Sequence, residues 1–161
     1  MNFEKIVTWF SAESTLPNEQ VNSILTDDGL RSYAVKYLRQ NPNREFAKAI
    51  LEKVLRKRRN QDFEMGTNDN IMFSCYLVGL HINVEDSLIV WQAKNVDFDA
   101  YCGVDVQLLA FAGVDNTLKY LKALDTEESR KAIDYIVKSK EAGDFDDIES
   151  YFSEEQQPWW I

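Results

Sequence analysis

Apolar positions recur three and four residues apart along almost the whole chain, which is the period of amphipathic helices. Phe3, Ile6, Val7 and Phe10 mark a first helix, and Trp9 beside them is assigned to the core. Pro17 suits the first turn of a second helix, where a missing N–H costs nothing, and Val21, Ile24 and Leu25 form its face until Asp27-Asp28-Gly29 interrupts. Leu30, Tyr33, Ala34, Tyr37 and Leu38 carry a third. Asn41-Pro42 predicts a restart, with the Asn side chain capping free amides and Pro at the first helical position. The helix it opens is the best patterned: Phe46, Ala47, Ile50, Leu51, Val54 and Leu55 fall in pairs one turn apart. Arg56-Lys57-Arg58-Arg59 ends it, where positive charge offsets the helix dipole. Asn60 to Thr67 reads as a loop broken by Gly66.

From about Asn68 the pattern becomes that of a more buried helix, with Ile71, Met72, Cys75, Tyr76, Leu77 and Leu80 on a broad apolar face closed by His81. Asn83 caps the next, whose Leu88-Ile89-Val90-Trp91 run is apolar nearly all round and marks it as the expected central helix. An internal echo follows, Gly103-Val104-Asp105 and Gly113-Val114-Asp115. Each copy predicts a left-handed Gly ending one helix, a Val folding back onto it and an Asp capping the next, so the two bracket a short helix from Asp105 to Ala112. The ten-residue period is too short for a helical solenoid repeat. Leu118, Leu121 and Leu124 continue the inward periodicity, and Thr126 caps a well-formed helix carrying Ala132, Ile133, Ile136 and Val137 that ends at Gly143. One more short helix is predicted over Ile148 to Phe152. With no competing strand pattern, the expected fold is all-α: an irregular bundle of stacked helical hairpins, about nine helices, in a single domain over residues 1–161 with an acidic tail segment at 144–161.

Composition changes this picture mainly through charge. The chain's 161 residues suffice for a core without disulfides or metals, and its 45% hydrophobic and 28% charged content is that of a globular protein. The net charge of −9 is unevenly placed: residues 1–80 hold 11 Lys+Arg against 10 Asp+Glu, whereas residues 81–161 hold 7 against 17. An acidic half repels phosphate backbones and favours a basic partner, acting more on encounter rate and selectivity than on affinity. The opening MNFEKIVTWF lacks the features of a signal peptide, and no apolar stretch approaches the length that spans a bilayer, so the expected location is cytoplasmic, with no membrane contact. Cys75 and Cys102 have neither CxxC nor zinc-ligand spacing and read as reduced, core-packing thiols.

Candidate chemistry is sparse. Asp97, Asp99 and Asp105 could gather around Mg²⁺ or Ca²⁺, with Asp86 or Asp115 nearby, as the centre of a metal-dependent enzyme. The spacing is not that of an EF-hand, because the glycine position falls on Cys102 and the bidentate glutamate position on Leu108. The structural alternative is that Asp99 and Asp105 cap short helices while Asp97 faces solvent. A single histidine, His81, excludes paired-His metal sites, and Cys75 six residues before it falls on a different side of the helix, against a Cys-His dyad. With no GxSxG, P-loop or GxGxxG, the chain reads as non-catalytic and without a cofactor. The run Lys53 to Arg59 reads either as a nucleic-acid patch or as a solvated helix end; it lacks interleaved aromatics, and no nucleic-acid partner is expected. The tail offers a candidate partner-binding surface: Asp144, Asp146, Asp147, Glu149, Glu154 and Glu155, with Trp159 and Trp160 either docked on the body or exposed as contact residues. In the latter case they could also sit in a subunit interface of an oligomeric scaffold, so monomer and homodimer both stand.

The stretch AKNVDFDAYCGVDVQLLAFAGVDNTLKYL, followed by a charged helix and an acidic GDFDD segment, resembles small uncharacterised bacterial all-helical proteins of the kind found as immunity partners of secreted toxins. The resemblance is one of style, covers roughly residues 77–147 and carries over no functional residues. It implies a binding role: an acidic helical inhibitor that occupies the basic surface of a toxin, often a nuclease.

Overall fold

The computed structural model describes residues 2–161, and among them every regular element is helical. Ten α-helices run α1 (Phe3–Glu13), α2 (Asn18–Thr26), α3 (Asp28–Gln40), α4 (Arg44–Arg59), α5 (Asn68–Gly79), α6 (Ser87–Lys94), α7 (Phe98–Gly103), α8 (Val114–Leu124), α9 (Glu127–Glu141) and α10 (Ile148–Tyr151). Two 3₁₀ segments, Val84–Asp86 and Val106–Ala110, precede α6 and follow α7. The fold is therefore the expected all-α one, with ten α-helices against about nine anticipated. The chain divides into two compact units, Met1–His81 with Trp160–Ile161, and Ile82–Trp159.

The first unit is built on α5. Every residue from Asn70 to Gly79 is buried, so this helix, and not α6, is the one covered on all sides. The six apolar residues expected on α4 are all buried and pack along it. Phe3 of α1 meets the rings of Tyr33, Tyr37 and Phe46 edge-on at 5.5–6.1 Å, which ties α1 to both α3 and α4. Two buried arginines hold the connections. Arg31 donates to the Leu25 carbonyl, the Asn70 side-chain oxygen and the Asp69 carbonyl, and its guanidinium stacks 4.6 Å over Phe73. It joins the end of α2 to the start of α5. Arg58 donates to the Gly66 carbonyl at 2.8 Å and lies over Phe63, folding the 60–67 loop against α4. Gly66 is thus more than a breaker: a Cβ there would lie 2.8 Å from the Arg58 backbone, a distance only glycine allows.

Three local expectations are corrected. Trp9 is 49% exposed, because it falls roughly 100° off the centre of the Phe3–Ile6–Val7–Phe10 stripe. Asn41 closes α3, donating to the Tyr37 carbonyl, while the α4 cap is Asn43, whose Oδ1 accepts from Phe46 N–H at 3.1 Å. Pro42 lies between the two caps and keeps Asn41 out of helical geometry. Pro17 stands at the cap position of α2, one residue before its first turn.

In the second unit α6 touches both 3₁₀ segments, α7 and α9, and buries Val90, Trp91, Ala93 and Lys94; Leu88 and Ile89 are only half-buried. α8 and α9 form a hairpin across Asp125, which takes the left-handed conformation. The Thr126 and Ser129 side chains exchange bonds with each other's backbone N–H in a capping box that starts α9. An ion pair of 2.8 Å from Lys140 to Asp115 closes the open end of the hairpin. Gly143 ends α9 at φ 86°, as its position predicts. The two Gly-Val-Asp copies are not equivalent. Gly113, at φ 88°, is the residue before α8, whereas Gly103 is the last residue of α7 and is not left-handed.

Replacing Gly66 by Ala is expected to lower the unfolding free energy by about 1–3 kcal/mol through overpacking against the Arg58 backbone, measured by chemical denaturation. The α4 helix content is expected to survive for the most part, since the strain falls on the loop and on the last turn of α4 alone.

Candidate functional site

The uneven charge of the sequence coincides with the division of the fold. The unit Ile82–Trp159 carries all 17 acidic and 7 basic residues of the second half of the sequence, a net of −10; the first unit is nearly neutral. Within the acidic unit the geometry centres on α7, a helix of six residues held from below by one lysine.

Lys94 lies on the stripe Ser87, Val90, Trp91, Lys94, spaced i, i+3, i+4, i+7, so it points inward and is only 2% exposed. A buried ammonium needs acceptors. It donates to the carbonyl oxygens of Tyr101, at 2.6 Å, and of Val104, which lie at the end of α7. The Tyr101 and Tyr135 rings flank it at 5.4 and 5.3 Å, within cation–π range. Burial pushes the Lys94 pKa down, and the Asp105 carboxylate pulls it back up. The same burial pushes the Tyr135 phenol up, with Tyr101 and Asp144 adding to it. Lys94 does for the α7 C-terminus what a left-handed glycine does elsewhere, which is why Gly103 has no need of that conformation.

At its other end α7 is capped by Asp97, whose Oδ1 accepts from Ala100 N–H at 2.8 Å. Held at both ends, the helix presents Phe98, Tyr101 and Cys102, at i, i+3 and i+4, outward. Phe98 is 82% exposed, Tyr101 half-exposed and Cys102 exposed. Asp97 and Asp99 flank Phe98 in the sequence and are exposed.

The three aspartates singled out as a metal alternative do separate things. Asp97 caps α7, Asp99 lies exposed in its first turn, and Asp105 accepts from the Tyr151 hydroxyl at 2.8 Å, joining α10 to the segment after α7. The expected capping roles are redistributed, with Asp97 as the cap. Among the described residues no group of three or more His, Cys, Asp and Glu side chains could hold a metal ion. Asp115 is taken by Lys140, and Asp86 is buried at the end of the first 3₁₀ segment. His81, at the end of α5, bonds the Leu77 carbonyl through Nδ1 at 3.0 Å.

The acidic tail is partly built into the unit. Gln107 donates to the Asp144 carbonyl, and Phe145 is buried, while the Asp144, Asp146, Asp147, Glu149, Glu154 and Glu155 side chains all lie on the exposed surface. The two terminal tryptophans part company. Trp160 is 5% exposed and meets Tyr76 of α5 edge-on at 5.7 Å, as a member of the first unit, whereas Trp159 is 83% exposed. A cleft of about 380 Å³ between the start of α8 and the 143–146 turn is lined by Val114, Asp115, Lys140, Phe145 and Asp146. In the first unit a cleft of about 600 Å³ lies beside Phe10, Ser14, Asn43, Lys48 and Glu52. Of the basic run on α4, Lys53 donates to Asn18 at the start of α2, while Lys57 pairs with Asp62 at 2.9 Å and Arg58 is buried against the 60–67 loop, so these three cations serve contacts within the fold. No helix among the described residues is long and apolar enough to cross a membrane.

Residue type alone does not single out Lys94, Phe98, Tyr101 or Tyr135. The available signal was position: Lys94 continues the α6 apolar stripe, where a surface lysine would fall off it. The expectation that both cysteines pack in the core holds for Cys75 alone. Cys102 lies outside because it shares the α7 face with Phe98. Compared with known proteins, the chain matches no family model, no curated protein and no solved structure.

Two outcomes are expected. A thiol reagent such as Ellman's should titrate one cysteine, Cys102, in the native protein and the second only on unfolding, because Cys75 is buried and its thiol pKa is pushed far up. Lys94→Met keeps the stem but leaves the Tyr101 and Val104 carbonyls without their donor, and should cost about 2 kcal/mol of stability in urea melts.

Proposed function

We propose that this chain is a non-catalytic protein-binding domain, of the immunity-inhibitor type, whose acidic second unit captures a basic protein such as a toxin or nuclease. The observation that carries this reading is the coincidence of charge and fold. The net charge of −10 is confined to one compact unit, and that unit also exposes Phe98, Tyr101 and Trp159 amid its carboxylates. A field of one sign over a compact unit raises the encounter rate with a cationic surface, by about 10- to 1000-fold at low salt, and repels polyanions. Exposed aromatics then supply the contact area that charge does not. The resemblance in style to immunity proteins points the same way.

The carboxylates of the tail act as guides in this reading. Asp146 and Asp147 are exposed, so reversing both to Lys should leave stability within about 0.5 kcal/mol. Immobilised wild-type protein should retain a single basic protein from a lysate of its own organism at low salt and release it at high salt, and the Asp146→Lys, Asp147→Lys variant should retain markedly less. Equal retention by the variant at low salt would overturn the proposal.

A further inference from the structure

We infer that the outer face of α7, Phe98 with the exposed edge of Tyr101, is the anchor on which a basic protein partner seats an apolar surface, the acidic surroundings serving only to bring it there. The inference rests on the protein-binding reading above and says which part of the acidic unit supplies the affinity. Phe98 is 82% exposed on a helix fixed at both ends, by the Asp97 cap and by Lys94. Tyr101, one turn on, has its ring edge-on to Tyr135 at 5.5 Å and its backbone carbonyl bound to Lys94, so it stands ready without ordering on contact. An aromatic side chain held this way loses little freedom on binding, which is the property of interface anchors.

Charge selects the occupant. Phe98 lies between Asp97 and Asp99, in a unit of net charge −10. A second copy that met it through its own acidic unit would bring the same charge to the contact, and a nucleic acid or an anionic lipid surface would be repelled as well. What fits is a protein surface that sets cations around an apolar spot: the cations meet the negative field of the unit, and the apolar spot covers Phe98. The acidic tail alone lacks this second component, apart from Trp159.

The test uses two lysine-rich peptides of equal length and charge, one carrying leucines where the other carries glycines, titrated calorimetrically into the whole protein and into Phe98→Ala. Phe98 is exposed, so thermal melts of the variant should match the wild type. The leucine peptide is expected to bind wild type roughly tenfold or more tightly than the glycine peptide, from burial of one aromatic side chain, and Phe98→Ala should erase that difference while leaving the glycine peptide's affinity unchanged. Equal affinity of the two peptides for wild type, or a difference that survives in Phe98→Ala, would overturn the anchor and leave the electrostatic reading standing. Absence of binding by either peptide at low ionic strength would count against the electrostatic reading itself, and with it the anchor. Sedimentation that shows a dimer dispersed by Phe98→Ala, or Phe98-dependent flotation with phosphatidylcholine vesicles, would assign the face to a different occupant and overturn the proposal.

Discussion

An ammonium group taken out of water costs several kcal/mol unless acceptors replace its hydration, and the arrangement around Lys94 follows from that constraint. Its acceptors are the Tyr101 and Val104 carbonyls, groups that a helix end leaves without intrahelical partners. One side chain of α6 thereby meets two needs at once, its own and that of the α7 terminus. The aromatic flanks, Tyr101 and Tyr135, follow from the same requirement, since their ring faces are the next best surroundings for a cation. With the α7 terminus fixed inward, Phe98 and Cys102 are left facing outward, and Tyr101 stands at the edge, its ring beside Lys94 and Tyr135 but still half-exposed.

The first unit solves a comparable problem with guanidinium groups. Arg31 and Arg58 bury their planar heads against Phe73 and Phe63 and donate to backbone carbonyls at chain reversals. In both units, then, buried cations hold connections, whereas the carboxylates, Asp86 apart, are left at or near the surface. The consequence differs between units: in the first the exposed charges nearly cancel, whereas in the second they leave a strong negative field. That field and the α7 face together give the proposed binding role its physical content, long-range attraction from one and short-range contact from the other.

Much of the fold was legible in the sequence, because periodicity and caps act locally. The α4 face, the Thr126 start and Gly143 end of α9, and the short α10 follow from residues within a few positions of each other. The corrections arise where a distant or competing group takes over a local job. Gly103 reads as a left-handed terminator, but Lys94 satisfies the helix end instead. Asn41 reads as a cap for α4 but bonds backward to Tyr37. Trp9 has the composition of a core residue, and only its angle from the stripe reveals otherwise. For the site, charge was legible as a sum along the sequence, and the carboxylates of the tail with it. The aromatic face was not, since Phe98 looks like any apolar residue opening a helix until the support beneath α7 is seen. The terminal pair Trp159-Trp160 left both docking and exposure open, and the fold uses one residue for each.

On the proposed reading, a cationic partner lands on the second unit at α7 and the acidic tail. The most direct test is to follow backbone amide chemical shifts in the nuclear magnetic resonance spectrum while titrating a lysine-rich, leucine-containing peptide at low ionic strength. The amides of residues 97–105 and 144–155 are expected to move together and saturate, while those of residues 2–81 stay in place. Shifts concentrated in residues 2–81, or spread evenly over the chain, would contradict it.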